Sequence, residues 1–244
     1  GEGSDIISGS DGKDIIHGNG GDDQITGGSG NDKLYGDHGN DVLSGGLGND
    51  ILLGGLGNDT LNGGDGIDTA SYMDSSAGVE VSLAITVQQN TVGAGLDVLT
   101  NIENITGSNY SDKLTGNSSS NVLDGGLGND ILVGGDGDDM LFGGAGNDTL
   151  TGGTGKDTYV WRSGEQGTAA LPAIDHVVGF DKAQDVIDIS DLLDHDGTKS
   201  SDVLENYLSI SKTSNGSVSI DIHNPDASSG SASSSSVLQS IVLD

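Results

Sequence analysis

Residues 45–62 read Gly45-Gly46-Leu47-Gly48-Asn49-Asp50-Ile51-Leu52-Leu53, then Gly54-Gly55-Leu56-Gly57-Asn58-Asp59-Thr60-Leu61-Asn62. Each nine-residue phrase opens on glycines, places Asp sixth and places an apolar residue eighth. The glycines permit the positive φ angles of a tight turn. One apolar side chain in nine cannot make an amphipathic helix, but it suits a short strand with a single inward side chain. The phrase therefore predicts a turn followed by a short strand.

The register extends in both directions. Units begin at Gly9, Gly18, Gly27, Gly36, Gly45, Gly54 and Gly63, after a clipped unit over 1–8, and resume at Gly107, Gly116, Gly125, Gly134, Gly143 and Gly152. Position eight holds Ile7, Ile16, Ile25, Leu34, Leu43, Leu52, Leu61 and Ala70, then Leu114, Leu123, Leu132, Leu141, Leu150 and Tyr159. Position six holds Asp5, Asp14, Asp23, Asp32, Asp41, Asp50, Asp59 and Asp68, then Asp112, Asp130, Asp139, Asp148 and Asp157, with Asn121 the one exception. A Gly/Asp/Ser linker has no reason to keep an aliphatic residue at every ninth place. Two units make a coil of 18 residues, and stacked coils make a roll of two parallel sheets around a thin aliphatic core. The predicted class is all-β: a right-handed parallel β-roll, or solenoid, in two blocks with a β-rich C-terminal cap carrying short helices. The expected divisions are a first block over 1–71, a spacer over 72–106, a second block over 107–160 and a cap over 161–244.

Coils stack at about 4.8 Å, so carboxylates two units apart form columns of like charge. Calcium bonds oxygen at roughly 2.3–2.6 Å, and two such bonds on opposite sides of an ion span about one coil spacing. Carbonyls exposed by the glycine turns can complete six-fold oxygen coordination. Zinc is a poor fit, because the turns offer neither sulfur nor a set of imidazoles. The formal charge of −30, from 38 acidic and 8 basic residues, opposes a compact state unless a cation neutralises it. No basic stripe exists to meet nucleic acid. There is no cysteine, no apolar run long enough to span a membrane and no signal peptide; the chain opens inside a repeat and is expected to be a monomeric fragment of something longer.

The consensus G-G-x-G-x-D-x-U-x, with U apolar, resembles the RTX (repeats-in-toxin) nonapeptide of proteins exported by Gram-negative bacteria through type I systems. The resemblance implies that carbonyls of turn positions one to four join the Asp in holding calcium. That assigns Gly18-Asn19-Gly20-Gly21, Gly27-Gly28-Ser29-Gly30, Gly36-Asp37-His38-Gly39, Gly45-Gly46-Leu47-Gly48 and Gly54-Gly55-Leu56-Gly57 in the first block. In the second block it assigns Gly125-Gly126-Leu127-Gly128, Gly134-Gly135-Asp136-Gly137 and Gly143-Gly144-Ala145-Gly146. Gly107-Ser108-Asn109-Tyr110 and Gly116-Asn117-Ser118-Ser119 lack the fourth glycine, which puts calcium there in doubt. The end aspartates Asp5, Asp68, Asp112 and Asp157 lack a stacked neighbour. Neighbouring pairs within each block suggest about 6 + 4 ions.

In the spacer, Val79–Leu83, Leu96–Leu99 and Asn101–Ile105 read as short strands and Thr91–Gly95 as a loop. Asp97–Ser108 resembles a spacer string common between RTX blocks. Asp97 and Glu103 are either calcium ligands at the end of a roll or caps of turns. In the tail, Ile174–Phe180, Asp185–Ile189, Tyr207–Ser211, Val218–Ile222 and Val237–Leu243 read as strands, Ser190–Leu193 as a helix start, Asp202–Tyr207 as a second helix and Ser228–Ser236 as a loop. The strings Gly155–Trp161, Asp175–Asp181, Asp185–Leu193 and Gln239–Leu243 resemble the C-terminal target region of type I secreted RTX adhesins. Asp181, Asp185 and Asp188 form a further candidate calcium set.

No catalytic set is legible. His17, His38, His176, His195 and His223 are scattered, H-E-x-x-H and G-x-S-x-G are absent, and an EF-hand register around Asp194–Gly197 fails at Leu192 and Val203. The leading expectation is a non-enzymatic folding and export module of a surface adhesin, with calcium and the type I machinery as partners. The alternatives are the same module behind an extracellular protease, lipase or epimerase, or an ice- or sugar-binding face. The irregular position-nine series His17, Thr26, Tyr35, Ser44, Leu53, Asn62 argues against that face.

Overall fold

The computed structural model describes residues 1–168, 171–193, 208–214, 216–223 and 237–244. The readings of a helix over 202–207 and a loop over 228–236 lie outside these residues, as does His195.

The fold is a parallel β-roll with an 18-residue coil. Gln24 pairs with Val42 and Val42 with Thr60; on the opposite side Ile16 pairs with Leu34 and Leu34 with Leu52. The position-eight side chains of both sides meet in the middle. Ile25, Leu34, Leu43, Leu52, Leu114, Leu123, Leu132, Leu141 and Leu150 are fully buried, so one apolar residue per nine does form a continuous core. The two sides are unequal. Strands on one side run six residues (Gln24–Ser29, Val42–Leu47, Thr60–Asp65), continuing through paired glycines, whereas those opposite run three (Lys33–Tyr35, Ile51–Leu53). A nine-residue consensus does not distinguish alternate units, so this asymmetry is not legible in it.

One nine-stranded sheet passes through both repeat blocks. Asn104–Thr106 bridges them, pairing with Thr69–Ser71 on one side and with Val122–Asp124 on the other. Opposite this sheet the surface is divided in two. Leu96–Thr100 extends the first sheet alongside Thr60–Asn62, and Glu80–Ser82 opens a separate sheet alongside Lys113–Thr115. The spacer thus contributes one more coil and an insertion that starts a new sheet.

The tail continues the roll before closing it. Val186–Asp188 joins the nine-stranded sheet beside Thr158–Val160, and Ala173–Val177 joins the other sheet beside Thr149–Leu150. Val237–Leu243 follows in parallel, and Val218–His223 and Leu208–Lys212 then turn antiparallel. Trp161 and Tyr159 are buried at this end, with Phe180 tilted against Tyr159 at 6.0 Å between ring centroids. Such a cover meets the need of a solenoid end to hide its core. Among the described residues, no helix is long and apolar enough to cross a membrane.

Candidate metal centres

The position-six aspartates line both edges of the roll. Along one edge, the backbone N–H groups of Asp5, Asp23 and Asp41 donate to Oδ1 of Asp23, Asp41 and Asp59 at 2.7, 2.8 and 2.9 Å. Along the other, Asp14, Asp32 and Asp50 donate to Asp32, Asp50 and Asp68 at 2.9, 2.7 and 2.7 Å. The second block repeats this from Asp112 to Asp130 and Asp148, and from Asn121 to Asp139 and Asp157. Each carboxylate therefore spends one oxygen on the preceding coil.

In eleven of these aspartates the other oxygen has no partner among the described residues. Oδ2 of Asp14, Asp23, Asp32, Asp41, Asp50, Asp59, Asp68, Asp130, Asp139, Asp148 and Asp157 is buried without a hydrogen bond. A buried polar atom left unpaired costs about 1–3 kcal/mol, and more when charged. Repetition down two columns makes this a structural pattern rather than an isolated defect. Burial, reinforced by neighbouring carboxylates, pushes Asp68 and Asp139 up to about 6, Asp59 and Asp148 to about 7 and Asp130 to about 8. Asp41, Asp50 and Asp157 move in the same direction, also chiefly through burial.

The space beside these oxygens is kept open by the first glycine of each unit. A Cβ on Gly18, Gly27, Gly36 or Gly45 would collide with Oδ2 of its own unit's Asp and with the carbonyl oxygen of Gly36, Gly45, Gly54 or Gly63. Gly125 and Gly134 stand in the same relation to Asp130 with Gly143 and to Asp139 with Gly152. An unpaired carboxylate oxygen facing a carbonyl oxygen across a gap is a donor set for a hard cation. Calcium fits it, taking oxygen ligands in flexible geometry. Among the described residues, no three His, Cys, Asp or Glu side chains converge on one point, so a cation here would need backbone carbonyls beside the carboxylates.

Other turn carbonyls are already engaged between coils. Asn19, Asp37 and Gly126, at position two, accept from His38, Leu56 and Ala145; Ser29, Leu47, Leu56 and Ala145, at position three, accept from Gly12, Gly30, Gly39 and Gly128. The fourth glycines serve the close stacking: Gly30 and Gly48 have φ near +134° and +118°, and a Cβ on either would strike the carbonyl of the coil before.

Asp112 and Asn121, in the units lacking the fourth glycine, are satisfied within their own turns. Ser108 donates its N–H and its hydroxyl to Asp112 at 2.5 and 2.8 Å, and Asn117 donates to Asn121 Oδ1 at 2.7 Å. Glu103 and Asp97 cap the first block, accepting from Asp68 and Asp59 at 2.8 and 3.0 Å. In the tail, Asp185 accepts from the N–H groups of Asp157 and Asp181, while Asp181 accepts from Ala183 and Gln184. Asp188 accepts from Ser190. The oxygens of that candidate set thus hold a turn and a helix start. His17 is exposed, stacked on Tyr35 with centroids 4.1 Å apart and 3.2 Å from Asp37.

A second column lies beside the first and escapes the position-six reading. Position-five side chains accept backbone N–H groups from the following coil: Asn31 from Asn49, Asn40 from Asn58, Asn49 from Ile67 and Asn129 from Asn147, at 2.9–3.1 Å. Its polarity is opposite to that of the aspartate column. Its sequence signal is the recurrent Gly-Asn-Asp at 30–32, 39–41, 48–50, 57–59, 128–130 and 146–148.

A parallel roll whose edges carry buried carboxylates beside backbone carbonyls belongs to the class of cation-binding β-solenoids. The family model for the RTX calcium-binding nonapeptide repeat matches in four copies, over residues 1–34, 35–70, 99–132 and 124–159, more than half of the chain. The chain belongs to the RTX calcium-binding nonapeptide repeat family. Similar solved structures include the AlgE6R3 subunit of the Azotobacter vinelandii mannuronan C5-epimerase, 29% identical over 55% of this chain and 71% of that one, with a TM-score of 0.43. The AlgE6R2 subunit is 30% identical over 57% of this chain and 82% of its own, with a TM-score of 0.42. The extracellular lipase LipA of Serratia marcescens is 17% identical over 98% of this chain and 37% of the lipase, with a TM-score of 0.33. No curated protein matches the chain.

Proposed function

We propose that the chain is a non-enzymatic module that folds on calcium binding outside the cell, and that it supports type I secretion and extension of a large bacterial surface adhesin. The observation that carries the calcium role is the set of buried carboxylate oxygens without a protein partner. Bound calcium would supply divalent charge to two columns that otherwise repel, taking its oxygen ligands from them. The Asp Oδ2 atoms and the first-glycine carbonyls would hold it, while the Oδ1 atoms and the position-five side chains keep the coils in register. About ten ions would bring about +20 against the chain's −30. Without a preformed site in the unfolded chain, binding free energy becomes folding free energy. A calcium-poor cytoplasm then keeps the chain extended for export. In this scheme residues 1–71 and 107–160 load calcium, 72–106 is a spacer and 161–244 is the cap and secretion target.

Deleting Thr158–Asp244 tests the export role: secretion by a type I system should be abolished, and unchanged secretion refutes the assignment. The same module would serve the tail of an extracellular enzyme; the similar structures above come from a mannuronan C5-epimerase and an extracellular lipase. The two settings are told apart by any residues encoded upstream of Gly1, where a catalytic domain favours the enzyme and further adhesion modules favour the adhesin.

A further inference from the structure

Three buried carboxylates stand in line with the aspartate columns yet differ from them at one atom. Asp97, Asp112 and Asp175 are at most 3% exposed. Each gives Oδ1 to the coil before, accepting from Asp59, Val79 and Asp148 at 3.0, 2.7 and 2.8 Å. That is the arrangement of the column aspartates that follow the first in each run. Their second oxygen, however, is taken by uncharged donors. Asp97 Oδ2 accepts from the Thr91 hydroxyl at 3.0 Å and the Tyr72 hydroxyl at 3.3 Å. Asp112 Oδ2 accepts from the Ser108 N–H. Asp175 Oδ2 accepts from the Trp161 indole at 2.5 Å and the Gln239 amide at 2.8 Å.

All three lie on the same edge of the roll. Asp97 ends the run through Asp5, Asp23, Asp41 and Asp59; Asp112 begins the run through Asp130 and Asp148; Asp175 ends it. The donors come from outside the regular turns: Tyr72 and Thr91 from the insertion, Ser108 from a turn without its fourth glycine, Trp161 and Gln239 from the cap. A cation between coils needs a carboxylate oxygen and a carbonyl facing one gap. At these three places the oxygen is already turned to a protein donor, at Asp112 even though a Cβ on Gly107 would meet that oxygen and the Gly125 carbonyl as in the regular turns.

We infer that Asp97, Asp112 and Asp175 are terminators of the calcium columns, closing each run with hydroxyl, amide or indole donors in place of an ion, and that they are not themselves calcium ligands. The inference rests on the column reading of the preceding section. It bears on Asp112 in particular, which the repeat consensus alone places among the ligands.

The test is calcium bound per chain at saturation, by equilibrium dialysis and elemental analysis of the full chain. Asp97→Asn, Asp112→Asn and Asp175→Asn should each bind as many ions as the parent. Asp41→Asn and Asp148→Asn, from the middle of the runs, should each bind at least one fewer. A terminator variant with the parent's circular dichroism in saturating calcium and one ion fewer overturns the inference. If the mid-run variants also keep the full count, the column reading itself fails, which is a different result. Should a terminator variant not fold, Tyr72→Phe and Trp161→Phe approach the same oxygens from the donor side. Each should keep the parent's ion count, and a lost ion in either overturns the assignment.

Discussion

The two repeat blocks share a consensus and one sheet, but they close their turns differently. From Gly9 to Ser71 every position-six aspartate leaves one oxygen buried and unpaired. From Gly107 to Val160, the first two units satisfy theirs with Ser108 and Asn117, and only Asp130, Asp139, Asp148 and Asp157 leave it open. The difference follows from position four. Glycine there adopts a positive φ and stacks against the coil before, whereas Tyr110 and Ser119 do not, and a neighbouring side chain or N–H turns inward instead. Whether an aspartate is free for a cation is therefore decided by the turn around it and not by the aspartate.

Acidity should separate the blocks most strongly. In chelator, burial raises the folded-state pKa values of Asp41, Asp50, Asp59, Asp68, Asp130, Asp139, Asp148 and Asp157 above the ordinary carboxylate range, so the proton favours the fold. That contribution is fully present below about pH 4 and is lost as pH rises through the folded values. These reach about 6 and 7 for Asp68 and Asp59 in the first block, and about 6, 7 and 8 for Asp139, Asp148 and Asp130 in the second. Acidifying the calcium-free chain should restore hydrogen-exchange protection around Asp130 at a higher pH than around Asp68. The reverse order would break the comparison.

Core truncation should not separate them. Leu43→Ala and Leu132→Ala remove equally buried side chains, and each should cost about 2–5 kcal/mol in calcium by denaturant unfolding. Filling a gap is smaller and selective: Gly45→Ala drives a Cβ into Asp50 Oδ2 and the Gly63 carbonyl, for roughly 1–3 kcal/mol and at least one bound ion. The smallest effect belongs to the position-five ladder. Asn49→Ala leaves the Ile67 N–H without its acceptor and should cost about 0.5–1.5 kcal/mol with the ion count unchanged. A lost ion in that variant would make the ladder part of the metal site.

Much of this was legible in the chain. A fixed period places Ile25, Leu43 and Leu61 on one side and Leu34 and Leu52 on the other, because 18 residues close one coil. The aspartate columns follow from the same count. The ladder was not legible as a role, since Asn before Asp also suits an ordinary solvated turn. The terminators were harder still. Asp97 and Asp175 sit outside the nonamers, and their donors lie as far away as Gln239, brought near only by the sheet pairing of Ala173 with Gln239. Glu103 is offset in sequence because the insertion before it breaks the count, although the coil it belongs to stacks in register.

The central claim is that the columns are completed by calcium and that the roll depends on it. Far-UV circular dichroism of the full chain against calcium tests this most directly. A coil-to-β transition is expected at sub-millimolar to millimolar calcium, and magnesium should not reproduce it. A chain that shows its full β signal in chelator at neutral pH would contradict it.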